Sequence, residues 1–403
     1  MMSNLTISTS LRCNSTRFTP NFSRKYRLPD LRRSPRILFT PTPLLTEWKS
    51  RDVNSLFAKG LSAKIVPRDD ELVPAQGYDA LMKMLRSANS VLPHVVLGST
   101  VLALAYPPSF TWFTTRYYAP ALGFLMFAVG VNSSPSDFLQ AVKRPQVIST
   151  GYVCQFIIKP LLGYIFGSVA VIAFHLPNSI GAGIMLTACV SGAQLSNYAT
   201  FLTDLELAPL SIVMTSLSTA TAVLVTPTLS LLLIGKRLPV DVIGMMSNIV
   251  QIVVVPIVAG LFLNRFVPRI CAVIQPLLPP LSIFVTALCV GSPLAINMKS
   301  ITSPFGVTAS LLIFGFHASS FIASYFLTGK VFKRTPKVEA LQRTISFETG
   351  MQSSLLALTL ANNFFQDPLV GVPPAISVVI MSLMGFFLVM VWSKKQKQDS
   401  AEQ

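Results

Sequence analysis

Over most of this chain apolar residues do not alternate with polar ones; they run on for twenty or more positions and stop where Pro, Gly and charges cluster. A hydrocarbon layer about 30 Å thick is crossed by roughly 20 apolar residues in a helix. Cut at those interruptions, the body gives ten segments, near residues 90–108, 117–133, 146–174, 178–203, 207–234, 241–266, 276–297, 304–329, 338–363 and 369–392. The pattern predicts an all-α polytopic membrane protein with ten transmembrane helices. Ten spans divide into five plus five, and an odd-numbered half enters the bilayer inverted relative to its partner, so a 5+5 inverted repeat is expected.

An even number of spans puts both termini on one side. Loops on that side carry Lys143 and Arg144, Arg265 and Arg269, then Lys330, Lys333, Arg334 and Lys337, with Lys394, Lys395 and Lys397 in the tail. The opposite loops hold only Arg116, Lys236, Arg237 and Lys299. Basic loops stay in the compartment of synthesis, so both ends are expected there.

Composition adds that lipid must be part of the solvent: 51% of residues are hydrophobic and only 12% charged, against roughly a quarter in soluble domains. Charge changes the picture at the start of the chain. Residues 1–64 hold twelve Lys or Arg against Asp30, Glu47 and Asp52, which is +9 of the net +16. A nucleic-acid tail would not be fused to so apolar a body, so no nucleic-acid partner is expected. A secretory signal would need a continuous apolar stretch of roughly 7–15 residues, whereas Leu5, Ile7 and Leu11 stand isolated among Ser and Thr. An organelle presequence, plastid ahead of mitochondrion, fits residues 1–64. Residues 65–89 read as a linker with an interfacial stretch at Met82, Met84 and Leu85, residues 90–393 as the transport domain and 394–403 as a polar tail. Cys154, Cys189, Cys271 and Cys289 form no CxxC pair and suggest neither disulfides nor zinc. Membrane lipid is the implied surrounding, and nothing in the sequence indicates an oligomer.

The candidate chemistry lies in polar residues inside the spans. The fourth segment contains Ser191-Gly192-Ala193-Gln194-Leu195-Ser196-Asn197 and the ninth Ser346-Phe347-Glu348-Thr349-Gly350-Met351-Gln352-Ser353-Ser354. Each is the fourth span of its half and sets Gly beside amides and hydroxyls. Irregular backbone at that depth is tolerated only where it is buried in protein or lines a cavity, so the pair points to a midplane site between two broken helices. Glu348 is the one carboxylate well inside a predicted span; Asp137, Asp204, Glu206, Asp241, Glu339 and Asp367 fall at span ends or in loops. A carboxylate at mid-membrane costs about 2.5–3.5 kcal/mol on insertion scales, so a metal cation, a proton or a fixed Lys must neutralise it.

Ser211 and Thr215 are one turn apart in the fifth segment and share a face that can meet Ser196 and Asn197. With Glu348 they would form an all-oxygen shell for a hard cation. Gln155 in the third segment would give a second oxygen set with Gln352 and the carbonyls of Thr349 and Met351. Lys159, one turn beyond Gln155, has three readings: it snorkels, pairs with Glu348, or draws an anionic substrate inward. His317 is read as a packing histidine or a proton relay. No Ser/His elbow, HExxH or paired catalytic acids occur in the spans, so an intramembrane enzyme is disfavoured.

Four strings, "CQFIIKP", "SGAQLSN", "SIVMTSLSTATAVLVTP" and "FETGMQSSLLALTLA", together resemble the bile acid:sodium symporter family, and within it the plastid members of plants. The resemblance spans residues 90–392. It implies a panel domain of helices one, two, six and seven, a core domain of the rest, and unwound helices four and nine that cross. It implies one sodium site at Ser196, Asn197, Ser211, Thr215 and Glu348, and a second at Gln155, Glu348, Thr349, Met351 and Gln352. Gln194 and Ser353 would face the substrate, with Lys159 nearby. Lys159 stands where bacterial members carry an apolar residue, and the loop before Ser211 is one residue longer. The expected function is sodium-coupled symport of a small organic anion, a 2-oxo acid, glycolate or similar monocarboxylate, across the chloroplast inner envelope. A proton-coupled or exchange carrier of the same fold is the alternative, and an assembly protein a further one.

Overall fold

The computed structural model describes residues 91–133, 144–235 and 237–401, with side chains as far as Lys394. The presequence, the linker and its interfacial stretch, Asp137, Lys143 and Lys236 lie outside the described residues.

The described chain is helical throughout its regular structure. Its main helices are α1 (Val91–Ala105), α2 (Tyr118–Asn132), α3 (Pro145–Ile172), α4 (Asn178–Cys189), α5 (Gln194–Thr203) and α6 (Leu205–Ile234). They continue as α7 (Val242–Phe266), α8 (Leu278–Ile296), α9 (Pro304–Val331), α10 (Val338–Gly350), α11 (Ser354–Phe364) and α12 (Pro368–Lys394). Six of them, α3, α6, α7, α8, α9 and α12, are long and apolar enough to cross a membrane. The segments expected to be irregular are the ones that break: α4 and α5 are separated by residues 190–193, and α10 and α11 by residues 351–353.

Two helices carry a single π turn, Cys154–Ile158 in α3 and Val250–Val254 in α7, each just before a proline, Pro160 and Pro256. Proline has no N–H to donate and its ring crowds the carbonyl of the preceding turn, so the ladder widens by one residue there. In α3 the widened turn carries Gln155, which is buried.

Close packing depends on small residues. A Cβ on Gly167 or on Gly181 would come within 2.7 Å of the other glycine's carbonyl oxygen, so α3 and α4 touch backbone to backbone. A Cβ on Gly130 would lie 2.2 Å from the Ile257 carbonyl, which brings α2 equally close to α7. Such contacts replace the hydrophobic drive that helices lack in lipid. The outer surface carries Ile172, Leu232, Leu311 and Phe326, whereas Glu348, Lys159, Gln155, Gln352 and many Ser and Thr are interior. That inside-out distribution suits a lipid solvent.

Polar contacts tie together loops that the alternation of spans assigns to one side. Arg343 in the second turn of α10 pairs with Asp204 between α5 and α6, and Lys337 just before α10 pairs with Glu206 in the first turn of α6. At the other end, Ser179 donates to Asp367 and Arg237 donates to Ser168 at 3.0 Å.

Candidate functional site at the paired helix breaks

The two breaks lie against each other. Gly192 and Gln352 form an antiparallel bridge, with Ser353 N–H donating to the Ser191 carbonyl at 2.9 Å and Ala193 N–H to the Met351 carbonyl at 3.3 Å. Backbone groups freed by unwinding one helix are thus satisfied by the other, as buried amides require. Extended backbone at Val190 (ψ 159°) and Met351 (ψ 107°) makes the pairing possible.

Glu348, 1% exposed, sits two residues before the end of α10 and turns its carboxylate toward α5 and α6. Ser196 donates to Oε1 at 2.9 Å, Ser211 at 2.5 Å, and Thr215 lies 3.1 Å from Oε1 and 2.9 Å from Oε2. The Asn197 Oδ1 faces the same hydroxyls, 2.9 Å from Ser211 and 2.9 Å from Thr215. Ser196 also reaches the Ala193 carbonyl at 2.7 Å. Three hydroxyl protons therefore serve seven close oxygen contacts. An oxygen cluster so short of protons offers lone pairs of the kind a hard cation accepts, and all five residues of the first expected set meet in it.

Of the second expected set, Gln155, Glu348 and Gln352 gather around Gly192, while the Met351 carbonyl accepts from Ala193 N–H. A Cβ on Gly192 would lie 3.1 Å from both Gln155 Nε2 and Glu348 Oε2, so the Gln155 amide and the carboxylate flank the same glycine. Gln155 Nε2 and both amide atoms of Gln352 are buried without a hydrogen-bond partner among the described residues. Thr349 donates its hydroxyl proton to the Ile345 carbonyl at 2.8 Å.

Lys159 does not snorkel, being fully buried, and forms no ion pair among the described residues. Its Nζ donates to the Val190 carbonyl at 2.8 Å, at the end of α4. A cation there meets the negative end of the helix dipole.

A narrow cavity of about 60 Å³ lies on the other face of the crossing. Gln194, Gln352 and Ser353 line it from the breaks, Leu125 and Met126 from α2, and Thr286 from α8. Lys159 is not among the lining residues. The first turns of α5 and α11 both begin here, at Gln194 and Ser354. Gln194 Nε2 donates to the Leu125 carbonyl and so bridges the cavity to α2.

His317 is fully buried, with Nδ1 3.0 Å from the Gly350 carbonyl and Nε2 2.7 Å from Ser377 Oγ, which is 2.7 Å from Ser354 Oγ. A carbonyl only accepts, so Nδ1 carries the proton and Nε2 accepts from Ser377. The ring links both rims of the α10–α11 break.

Sequence reasoning missed Thr286 and Tyr198 in the cavity wall and the Arg343–Asp204 pair. Tyr198 could have been found, because it follows Gln194 by one helical turn. Thr286 is one hydroxyl in an apolar helix and gave no such signal.

The profile of the Sodium Bile acid symporter family matches residues 119–304. The chain is 64% identical over 393 residues to a probable sodium/metabolite cotransporter BASS5, chloroplastic, of Oryza sativa subsp. japonica, covering 94% of this chain and 98% of that protein. It is 67% identical over 317 residues to a probable sodium/metabolite cotransporter BASS6, chloroplastic, of Arabidopsis thaliana, covering 79% and 78%. A BASS3 protein of the same description from Oryza sativa subsp. japonica is 45% identical over 307 residues, covering 76% and 71%.

Proposed function

The chain belongs to the bile acid:sodium symporter family, and from that premise we propose that it is a sodium-coupled carrier of a small monocarboxylate in the plastid inner envelope. One observation carries the reading: a buried carboxylate shares three hydroxyl protons with an amide oxygen and its own neighbours, a deficit that one sodium ion would relieve. Sodium is cargo here, held by Ser196, Asn197, Ser211, Thr215 and Glu348. Its arrival cancels the charge of Glu348 and fixes α5, α6 and α10 in register.

The anion is expected in the cavity beside the crossing, against Gln194 and Ser353. The first turns of α5 and α11 open on it, and their partial positive charge favours a carboxylate. Because the cation holds the same two breaks from the opposite face, ion binding shapes the anion pocket, which is the coupling a symporter needs. Ten spans in two inverted halves, with α1, α2, α7 and α8 as panel against a core of the rest, would carry the loaded site across by rocking. Plastid location is supported by the chloroplastic relatives and by the basic, Ser- and Thr-rich start of the chain.

The test is uptake of radiolabelled pyruvate, glycolate and longer 2-oxo acids into proteoliposomes under an inward sodium gradient. Glu348→Gln is expected to abolish the sodium-dependent component, and normal uptake by that variant overturns the reading. Uptake that persists when choline replaces sodium but follows a pH gradient would assign proton coupling instead.

A further inference from the structure

We propose that the buried Lys159 ammonium is a fixed counter-ion beside the crossing, so that one sodium ion, at Glu348, accompanies each anion. The inference rests on the sodium-coupled reading above and fixes its stoichiometry.

The geometry starts from α3. Its π turn presents Gln155 and, one turn later, Lys159 to the same break. Gln155 reaches Gly192, beside which Glu348 Oε2 also lies, and Lys159 reaches the Val190 carbonyl. Val190 and Gly192 are two residues apart on extended backbone, a separation of about 7 Å. Ammonium and carboxylate therefore address one four-residue stretch from neighbouring positions without touching. Near them the Gln352 amide, with its oxygen and nitrogen both unpartnered, and the Gln155 amide nitrogen are buried without a protein partner among the described residues.

Charge decides what the crossing does. Inside the described spans Arg343 and Asp204 cancel each other in a bidentate pair. Glu348 and Lys159 are then the remaining buried ions, of opposite sign, so the empty crossing is neutral. Adding one sodium and one monocarboxylate keeps it neutral. A second sodium would leave an unbalanced positive charge in a medium where uncompensated ions are costly. Without the lysine charge the same arithmetic admits two sodium ions. Lys159 is thus a fixed counter-ion that sets how many mobile ones the site accepts.

The experiment is equilibrium binding of ²²Na⁺ to the purified full-length chain in detergent, counted per chain and fitted for its Hill coefficient. Wild type is expected to bind one ion with a coefficient near 1, and Lys159→Gln and Lys159→Met to bind two with a coefficient above 1. Two ions in wild type, or one ion in both variants when circular dichroism and gel filtration show them folded, overturns the proposal and leaves the sodium-coupled reading standing. If neither variant folds, the wild-type count decides alone. No sodium bound by wild type overturns the sodium-coupled reading itself, and this inference with it.

Discussion

Thr215 on α6 reaches both carboxylate oxygens of Glu348 on α10, at 2.9 and 3.1 Å, across 133 positions of sequence. That one hydroxyl also touches Asn197 Oδ1 at 2.9 Å, so it joins three separate helices at the centre of the proposed ion shell. Thr215→Val keeps the shape and removes the oxygen. A hydrogen bond to a charged group is worth about 1.5–3 kcal/mol, and 1.4 kcal/mol is tenfold in affinity. The sodium concentration for half-maximal uptake should rise about tenfold or more. An unchanged sodium dependence in a folded variant would remove Thr215 from the shell.

Arg343 and Asp204 give a stability prediction independent of transport. Their side chains are 9% and 6% exposed and meet through two bonds, 2.7 and 2.8 Å. Removing one partner breaks both short bonds of a largely buried pair, at a cost of up to about 3–5 kcal/mol, with Arg343 keeping only its longer 3.5 Å contact to the exposed Glu339. Arg343→Leu and Asp204→Asn should each lower the melting temperature of the detergent-solubilised protein, and the double variant should lie above the worse single one. Additive losses would mean that the two residues act separately.

How much of this was legible in the sequence follows from which physics was local. The long helices could be read because each must bury about 20 apolar residues in lipid, and the two breaks could be read because Gly192 and Gly350 sit among amides where a plain span would not place them. Glu348, Ser196, Asn197, Ser211 and Thr215 could be grouped because helical spacing puts Ser211 and Thr215 on one face and a lone carboxylate needs oxygen-rich company. The partner of Lys159 could not be read. A backbone carbonyl 31 positions away leaves no trace in residue type, and it exists only because α4 ends at Val190. Arg343 escaped for a related reason: its partner, Asp204, reads as an ordinary loop acid until the fold brings the α5–α6 turn to the start of α10.

His317 separates a brace from a proton relay. Its two nitrogens are taken up by the Gly350 carbonyl, at the end of α10, and by Ser377 of α12, which in turn meets Ser354 at the start of α11. His317→Phe should lower thermal stability, because it leaves the buried Gly350 carbonyl without its partner, at about 1–3 kcal/mol, and takes from Ser377 one of its two contacts. His317→Gln, which can still donate and accept, should restore much of that loss and leave the pH profile of sodium-driven uptake unmoved. A shifted profile in the Gln variant would assign the ring a part in proton movement.

Gln194 separates the anion face of the crossing from the cation face. Its side chain lines the cavity and donates to the Leu125 carbonyl, while Ser196, two residues on, belongs to the ion shell. Residues two apart on a helix point in different directions, so one short segment can serve both ligands without either touching the other. Gln194→Ala removes a polar group from the cavity and leaves every oxygen around Glu348 in place. A neutral hydrogen bond is worth about 0.5–1.5 kcal/mol. The KM for the transported monocarboxylate should therefore rise by roughly two- to tenfold, with the half-saturating sodium concentration, measured at saturating anion, moving much less. If sodium affinity falls as far as anion affinity, the two faces are not separable and α5 transmits the disturbance as one body. If neither moves, the anion binds elsewhere than at the paired breaks.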